Sequence, residues 1–534
     1  MNREVSYWQD ILGKRLTRRR ALGTAARMGI GLAGASLLAC APAAKKVELE
    51  SITYGYIKEG VTLDGHIDFQ IGSMSMGEAI YDGLTYLNTK KELEPALAES
   101  WKTIDDKTWE FKLRKGVKFH NGEPFNAQAV KWNVTRIQNP KHTGRLRAVL
   151  DTIQGVEAVD EATVRITTKQ PDPLIPVKFF QTKMVPPKYL QDKGDEILAS
   201  QPIGTGPYKF VEWPKDVHIL MQRNDEYWGP KPAAKKIYLK AIPTQSARVA
   251  ALKTGAVDIA YSMTKEDIDE LTKDKNLDLY KAGAPSSTTM RMSFGSATAK
   301  PLLDKRVRQA ILYAVDWDAI AKNIYGGLAT RTASLPPFGY LGYDSSLKPY
   351  PYDPKKAKEL LAAAGLSNGF EVAVDDYQPG TLARQGDMVQ AIVNYLSAVG
   401  IKPKFKMWEY SAWRTHRSKA LADKTGFEGI FYTSWADETF DGDGYVYNLY
   451  HTKGTFNFAV HSNPKVDELL DKGRTTISPE GRKKVYADLS KLLYDEAVEL
   501  MGLMVEDTYA YNKTKIRKMA ASGWMTKIRE MAFV

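Results

Sequence analysis

The sequence predicts a mixed α/β fold from three kinds of pattern. Period-2 runs mark strands, apolar stripes behind capping residues mark helices, and Gly/Pro clusters separate them. Thr108-Trp109-Glu110-Phe111-Lys112-Leu113 and Thr163-Val164-Arg165-Ile166-Thr167 alternate as half-buried strands. Asn126 caps a helix with Val130, Val134 and Ile137 on one face, and Asp304 opens another through Val307, Ile311 and Val315. Asp353-Pro354 supplies an N-cap and a first-turn proline, Ala357, Leu360, Leu361 and Ala364 form a stripe, and Gly365 stops it. Helices are also expected over 382–399, ending at Gly400, and from Ser478-Pro479, with Val485, Leu489 and Leu492 inward. Pro202-Ile203-Gly204-Thr205-Gly206-Pro207 leads into the strand-like Tyr208-Lys209-Phe210-Val211, so it reads as a rigid crossing; a phosphate loop would have to open a helix. Asp225 to Pro232 is an aromatic turn, and no repeat of about 20–50 residues is present.

A chain of 534 residues allows roughly three or four domains. Charged residues at 26% and hydrophobic ones at 43% exclude a disordered or fibrous chain. The mean hydropathy of -0.38 excludes a polytopic membrane protein. The net charge is +12, but residues 1–39 hold seven Lys/Arg against Glu4 and Asp10. The rest carries no basic stripe, so nucleic acid is not an expected partner.

The N-terminus reads as an address. Arg18, Arg19 and Arg20 precede a short Gly/Ala-rich apolar run, Met28 to Ala39. Charged head, short apolar middle and small residues describe an export signal too short to span a bilayer. The Arg18-Arg19 pair resembles a twin-arginine signal, while Ala21 in place of the usual Phe leaves the general secretory route open. Leu37-Leu38-Ala39-Cys40 resembles a bacterial lipobox, and Cys40 is the only cysteine. Residues 1–39 are thus expected to be a signal peptide and 40–45 a tether, anchored by acyl chains on Cys40.

Metal and enzyme chemistry find little support. One cysteine allows neither an intrachain disulfide nor a thiolate cluster. Asp437, Glu438, Asp441 and Asp443 suggest calcium, but a loop read from Thr439 has Thr first and Tyr450 twelfth. His416, His451 and His461 are separate, and no metal or cofactor is assigned. No nucleophile elbow, Ser-x-x-Lys or His-Glu-x-x-His occurs, so no catalytic residue is expected.

Several separated motifs resemble one family. Leu63-Asp64-Gly65-His66 matches a Leu-Asp-Pro-His segment, with Gly for Pro. Ile80 to Leu84 and Leu93 to Trp101 match two more elements. The most specific stretch is Phe111 to Gly122 followed by Pro124-Phe125-Asn126-Ala127; Pro202 to Tyr208, Tyr227-Trp228-Gly229, Arg248 to Leu252, Val307 to Ala310 and Tyr352 to Gly365 complete the set. In number and order these resemble the family 5 extracellular solute-binding proteins of bacterial ABC importers, the dipeptide-, oligopeptide- and nickel-binding group.

The resemblance implies a periplasmic-binding-protein-like fold (type II, cluster C), with two lobes, a hinge and an extra domain. Lobe I would take 46–80, 201–288 and 509–534, the extra domain 81–200 and lobe II 289–508, with hinge crossings near Ile203, 286 and 508. The implied function is capture of a small solute, most of all a peptide or peptide-like molecule, and delivery to ABC permease and ATPase subunits by a lipid-anchored monomer. Alternatives are an exported hydrolase or peptidase, and a sensor that loads a receptor.

In peptide-binding relatives an Asp after a Trp pairs the ligand's amino terminus. The matching stretch is Tyr432-Thr433-Ser434-Trp435-Ala436-Asp437, which nominates Asp437 for a ligand cation, Trp435 for packing and Tyr432 beside them. A solvated acidic loop is the competing reading. The family's Asp-Pro-Asp is Asp441-Gly442-Asp443 here. Arg384 stands where dipeptide-binding relatives carry a carboxylate-binding arginine, and otherwise is a helix-surface residue. Trp408, Tyr410 and Trp413 cluster, with Trp408 expected at the cleft.

Overall fold

The computed structural model describes residues 48–60, 62–67, 77–142, 144, 146–282, 286–378, 380, 382–435 and 439–534. Three sheets organise them. A seven-stranded sheet runs in the order Leu277–Lys281, Thr508–Asn512, Ile259–Tyr261, Leu49–Tyr56, Ala234–Ala241, Ile219–Arg223, Tyr208–Glu212. A six-stranded sheet runs Ala329–Arg331, Glu499–Val505, Ser286–Met292, Gly429–Trp435, Glu371–Gln378, Lys402–Glu409. A four-stranded antiparallel sheet is built from Ala98–Asp105, Thr108–Leu113, Thr163–Thr168 and Ile153–Asp160. Each sheet packs its own apolar core against flanking helices.

Local signals and observed elements agree closely. Asn126 Oδ1 accepts from the Ala129 N–H at 3.0 Å, and Asp304 and Asp353 cap their helices in the same way. Gly365 follows the helix Pro354–Ala363 in the left-handed region, where a side chain would be strained. The helix expected over 382–399 begins later, at Gln385, because Arg384 adopts φ 60° as its N-cap.

The 202–207 crossing lies on the segment before Tyr81. A Cβ on Gly204 would meet the Ile80 carbonyl oxygen at 2.2 Å, and one on Gly206 the Ala79 oxygen at 2.5 Å. The Gly206 N–H donates to the Ile80 carbonyl at 2.8 Å. These glycines permit backbone-to-backbone contact.

Two crossings join the large sheets. The chain leaves the first sheet at Lys281 and enters the second at Ser286; it returns from Val505 to Thr508 across two residues. Polar bonds pin this return. The Ala282 N–H donates to the Asp507 carbonyl at 2.9 Å, the Tyr261 hydroxyl donates to the Asp507 carboxylate, and the Thr508 hydroxyl donates to the Met263 carbonyl at 2.9 Å. The two sheets therefore form two lobes on a short double hinge. Among the described residues no helix is long and apolar enough to cross a membrane.

Candidate functional site

The strand Gly429–Trp435 reaches the lobe boundary through its pairing with Ser286–Met292, the strand entered from the hinge. Ser287 lies opposite Trp435, and its hydroxyl donates to the Trp435 carbonyl at 2.8 Å. The Tyr445 hydroxyl donates to Ser287 Oγ at 2.5 Å. Trp435 is thereby fixed at the strand end, half-buried, against Phe456 with ring centroids 5.3 Å apart.

Trp435 lines a small recess between lobe II and the unit that carries the four-stranded sheet. Asp443, Phe456 and Arg474 contribute from one side, and Leu174 and Lys178 from the other. The charges on its wall are already matched. Arg474 grips Asp443 through Nε and Nη2 at 2.9 and 3.3 Å, and its Nη1 crosses to Asp151 at 3.1 Å. Asp443 helps to hold the Arg474 guanidinium firmly protonated against the cost of burial. Lys178 Nζ is 2.6 Å from Asp172, whose carboxyl stays below its usual range despite burial because of that ammonium.

Further contacts close one lobe on the other. The Ala383 N–H donates to Ser262 Oγ at 3.1 Å, at a small hinge-side recess that Arg384 also lines. Lys58 Nζ lies 3.4 Å from the Tyr410 ring centroid, and Lys91 Nζ lies 4.3 Å from that of Phe440.

The nominated residues separate on this scaffold. Asp437 lies outside the described residues, as do Cys40, Arg18 and Arg19. Tyr432 shares the strand with Trp435, but three residues along a strand reverse the face; it is fully buried in the lobe II core near Tyr377. Arg384 sits at the hinge recess and pairs with Asp387 at 2.8 Å. Trp408 lies on the outer strand, stacked on His416 with centroids 4.7 Å apart and under Lys406 Nζ at 3.2 Å. Of the acids that suggested calcium, Asp441 pairs with Arg482 and Asp443 with Arg474, while Asp437 and Glu438 lie outside the described residues. No group of His, Cys, Asp and Glu among the described residues is arranged to hold a metal ion.

Arg474 and Arg417 were not singled out from sequence. For Arg417 a signal exists: Trp413 precedes it by four residues on the helix Tyr410–Ala422, the spacing that brings side chains together. Its guanidinium carbon lies 4.9 Å from the Trp413 ring centroid and 4.8 Å from that of Phe458.

Two sheet-centred lobes on a double hinge, with a third unit against lobe II, give the architecture of a two-lobed binding protein of the type II periplasmic class. The chain belongs to the bacterial extracellular solute-binding proteins, family 5, whose "family 5 Middle" profile matches residues 92–457. It is 31% identical over 487 residues to the glutathione-binding protein GsiB of Escherichia coli K12, spanning 90% of this chain and 92% of that protein. GsiB of Shigella flexneri serotype 5b matches to the same extent. Among solved structures, the periplasmic binding protein DppA of Helicobacter pylori, in complex with peptide STSA, shares the fold at a TM-score of 0.81 and 24% identity, covering 91% of this chain and 99% of that one. AgaA of A. tumefaciens R10, in complex with agropinic acid, gives a TM-score of 0.77 at 28% identity, covering 87% and 94%. This chain is a solute-binding protein of the ABC-importer type, and its family works with permease and ATPase subunits.

Proposed function

We propose that the chain is an exported, lipid-anchored capture protein that closes on a peptide or peptide-like solute and hands it unaltered to a membrane permease and its ATPase. The recess at Trp435 carries this reading. It lies at the boundary between lobe II and the unit of the four-stranded sheet, beside the strand that leads in from the hinge, and its wall charges are paired within the protein. A buried charge without a partner costs several kcal/mol, so groups that match a solute's charges select it. Asp437, two residues beyond Trp435, takes the solute's cationic end, and Trp435 packs on the adjoining part. The relatives named for glutathione and the structure bound to a short peptide make reduced glutathione and di- to tetrapeptides the first solutes to titrate.

Asp437→Ala is expected to weaken binding of the best such solute about ten-fold or more, since charged hydrogen-bond partners contribute on the order of 1.5–3 kcal/mol. Calorimetric titration checks it; unchanged affinity removes Asp437 from the site. Turnover of the solute, followed by mass spectrometry, would replace capture by hydrolysis.

Anchoring is tested separately. Cys40→Ala is expected to move the protein from the membrane fraction to the soluble one, because each buried CH₂ of an acyl chain adds about 0.8 kcal/mol of attachment. A variant that still sediments with membranes ends the lipid assignment.

A further inference from the structure

We propose that Lys91 is a positioning residue for capture: it clamps the lobe II loop at Phe440 from across the lobe boundary and so holds the protein shut on its solute. This rests on the capture function proposed above and adds to it a residue that acts on the lobes and not on the solute.

The turn that carries Lys91 is tied on two sides. It joins the paired strands Thr85–Leu87 and Leu93–Pro95, just before the four-stranded sheet. Asn88 ties it from within. Its Oδ1 accepts from the Lys90 and Glu92 N–H groups at 2.9 and 3.0 Å, and its amide donates to the Glu92 and Glu94 carboxylates at 3.1 and 2.6 Å. Glu530 ties it from outside, accepting from the Thr89 N–H at 2.9 Å and from the Tyr86 hydroxyl at 3.0 Å. Its neighbours Ile528 and Met531 pack in the core of lobe I, so the turn is fixed to that lobe.

From this base Lys91 reaches lobe II. Its backbone is left-handed at φ 64°, a region sparsely populated by lysine. Its ammonium lies 4.3 Å from the centroid of the Phe440 ring. Phe440 and Gly339, the lobe II residues it meets, are left-handed too, at φ 52° and 91°. A Cβ on Gly339 would stand 3.2 Å from Lys91 Nζ. Backbone held in such regions persists only where the surrounding fold over-determines it, and it gathers at clamps and switches. Phe440 passes the contact into its own lobe. Its carbonyl accepts from the Leu341 N–H at 2.9 Å, its ring meets Tyr340 at 5.5 Å, and the next residue, Asp441, is paired with Arg482.

The electrostatics agree. The acids of the turn itself are occupied by Asn88, and the acid that acts on the Lys91 ammonium is Glu506, on the two-residue return between the large sheets. Glu506 Oε2 is buried without a hydrogen-bond partner. Burial brings the pKa of Lys91 down to about 8, opposed by Glu506. An ammonium leaves water at a cost unless an anion or an aromatic face replaces its hydration. For Lys91 the ring belongs to the opposite lobe and the acid to the hinge. Opening the cleft would withdraw Phe440, so the contact is made only when the lobes are shut. Arg474, which also crosses between units, keeps Asp443 of its own lobe in either state.

The test compares the full mature protein with Lys91→Met, Lys91→Glu and Lys91→Arg. The probes are reduced glutathione, trialanine and trialanine amide. Lys91→Met is expected to weaken the best-bound probe about five-fold or more through faster dissociation, Lys91→Glu further, and Lys91→Arg to stay within about two-fold of the wild type, because a second cation can sit on the same ring. The loss is expected to be equal for trialanine and its amide, and the variants without solute to melt with the wild type. Small-angle X-ray scattering is expected to give Lys91→Glu a larger radius of gyration than the wild type. A loss confined to the acid makes Lys91 a solute contact and overturns the clamp. A loss that follows a lowered melting temperature and is not rescued by Lys91→Arg makes it a structural residue and also overturns the clamp. Unchanged dissociation of a bound probe in Lys91→Met, or identical scattering profiles with and without probe, overturns the clamp and leaves capture standing. If the wild type binds none of the probes, the peptide reading fails and the solute-free profiles decide the clamp alone: a more open Lys91→Glu supports it, and an unchanged one overturns it.

Discussion

Replacing Arg482 by alanine is expected to lower the unfolding free energy by about 3–5 kcal/mol, the usual cost of leaving one member of a buried ion pair alone. Arg482 and Asp441 are 2% and 0% exposed. The guanidinium donates to both Asp441 oxygens, one of them at 3.1 Å from Nε, and its Nη1 donates to the Gly473 carbonyl at 2.7 Å. It also faces the Tyr486 ring at 5.4 Å. Alanine would strand the carboxylate and free that carbonyl. Asp441 follows Asp437 by four residues in the sequence, so the same change is expected to weaken solute binding as well. Urea unfolding of Arg482→Ala, Asp441→Leu and the double variant Arg482→Met/Asp441→Leu measures the effect. The double variant should recover most of the loss, since an apolar pair of similar volume replaces a buried ion pair at little cost. A loss under about 1 kcal/mol in Arg482→Ala would show that the pair is not the tie described.

Stability is expected to fall as pH drops from about 6.5 to about 4, because the fold holds two histidines neutral, His66 buried and His120 part-buried. His66 is fully enclosed. Its Nε2 faces the Lys183 carbonyl at 2.6 Å, which sets the proton there, and its Nδ1 faces Arg136 at 2.7 Å as acceptor. Asp64 accepts from the His66 backbone, and the His142 ring lies 6.2 Å away. Burial, opposed in part by Asp64 and reinforced by Arg136, lowers the pKa of His66 to about 4. His120, with Nε2 at 2.9 Å from the Gly206 carbonyl, is lowered to about 4 by burial. Both folded pKa values lie below the unfolded one. The unfolded chain therefore binds the extra protons across this window, and stability is lost on acidification. Each histidine carries about 3 kcal/mol at full effect, since a tenfold change in proton affinity corresponds to about 1.36 kcal/mol. Glu78, held at about 2 by Lys183, Lys527 and Arg529 despite burial, adds a further loss as pH falls from 4.5 toward 2. Denaturant unfolding at several pH values should show the slope, shallower in His66→Gln. A free energy constant from pH 7 to 4 would contradict the neutral burial of both rings.

Local rules explain how much of the fold was legible. The strands Thr108–Leu113 and Thr163–Thr168 and the caps at Asn126, Asp304, Asp353 and Ser478 needed only side-chain period and capping chemistry. The candidate site was less legible. Trp435 was nominated from its motif, and the recess beside it exists because a helix from residue 175 onward folds across from it. Tyr432 was drawn to the site by the same motif, yet strand alternation turns it into the core. Asp441 and Asp443 read as free acids because their arginines lie 41 and 31 residues downstream.

By itself the chain's sequence determined which segments become helix or strand, that residues 202–207 form a rigid crossing, and to which family the whole belongs. These follow from interactions among near neighbours and from motif order. Tertiary structure alone decided which charges are paired within the protein, as Asp441 is with Arg482 and Asp443 with Arg474. An arginine paired with an acid and an arginine stacked on two rings look the same in sequence, since the pairing is set by which distant segments the fold brings together.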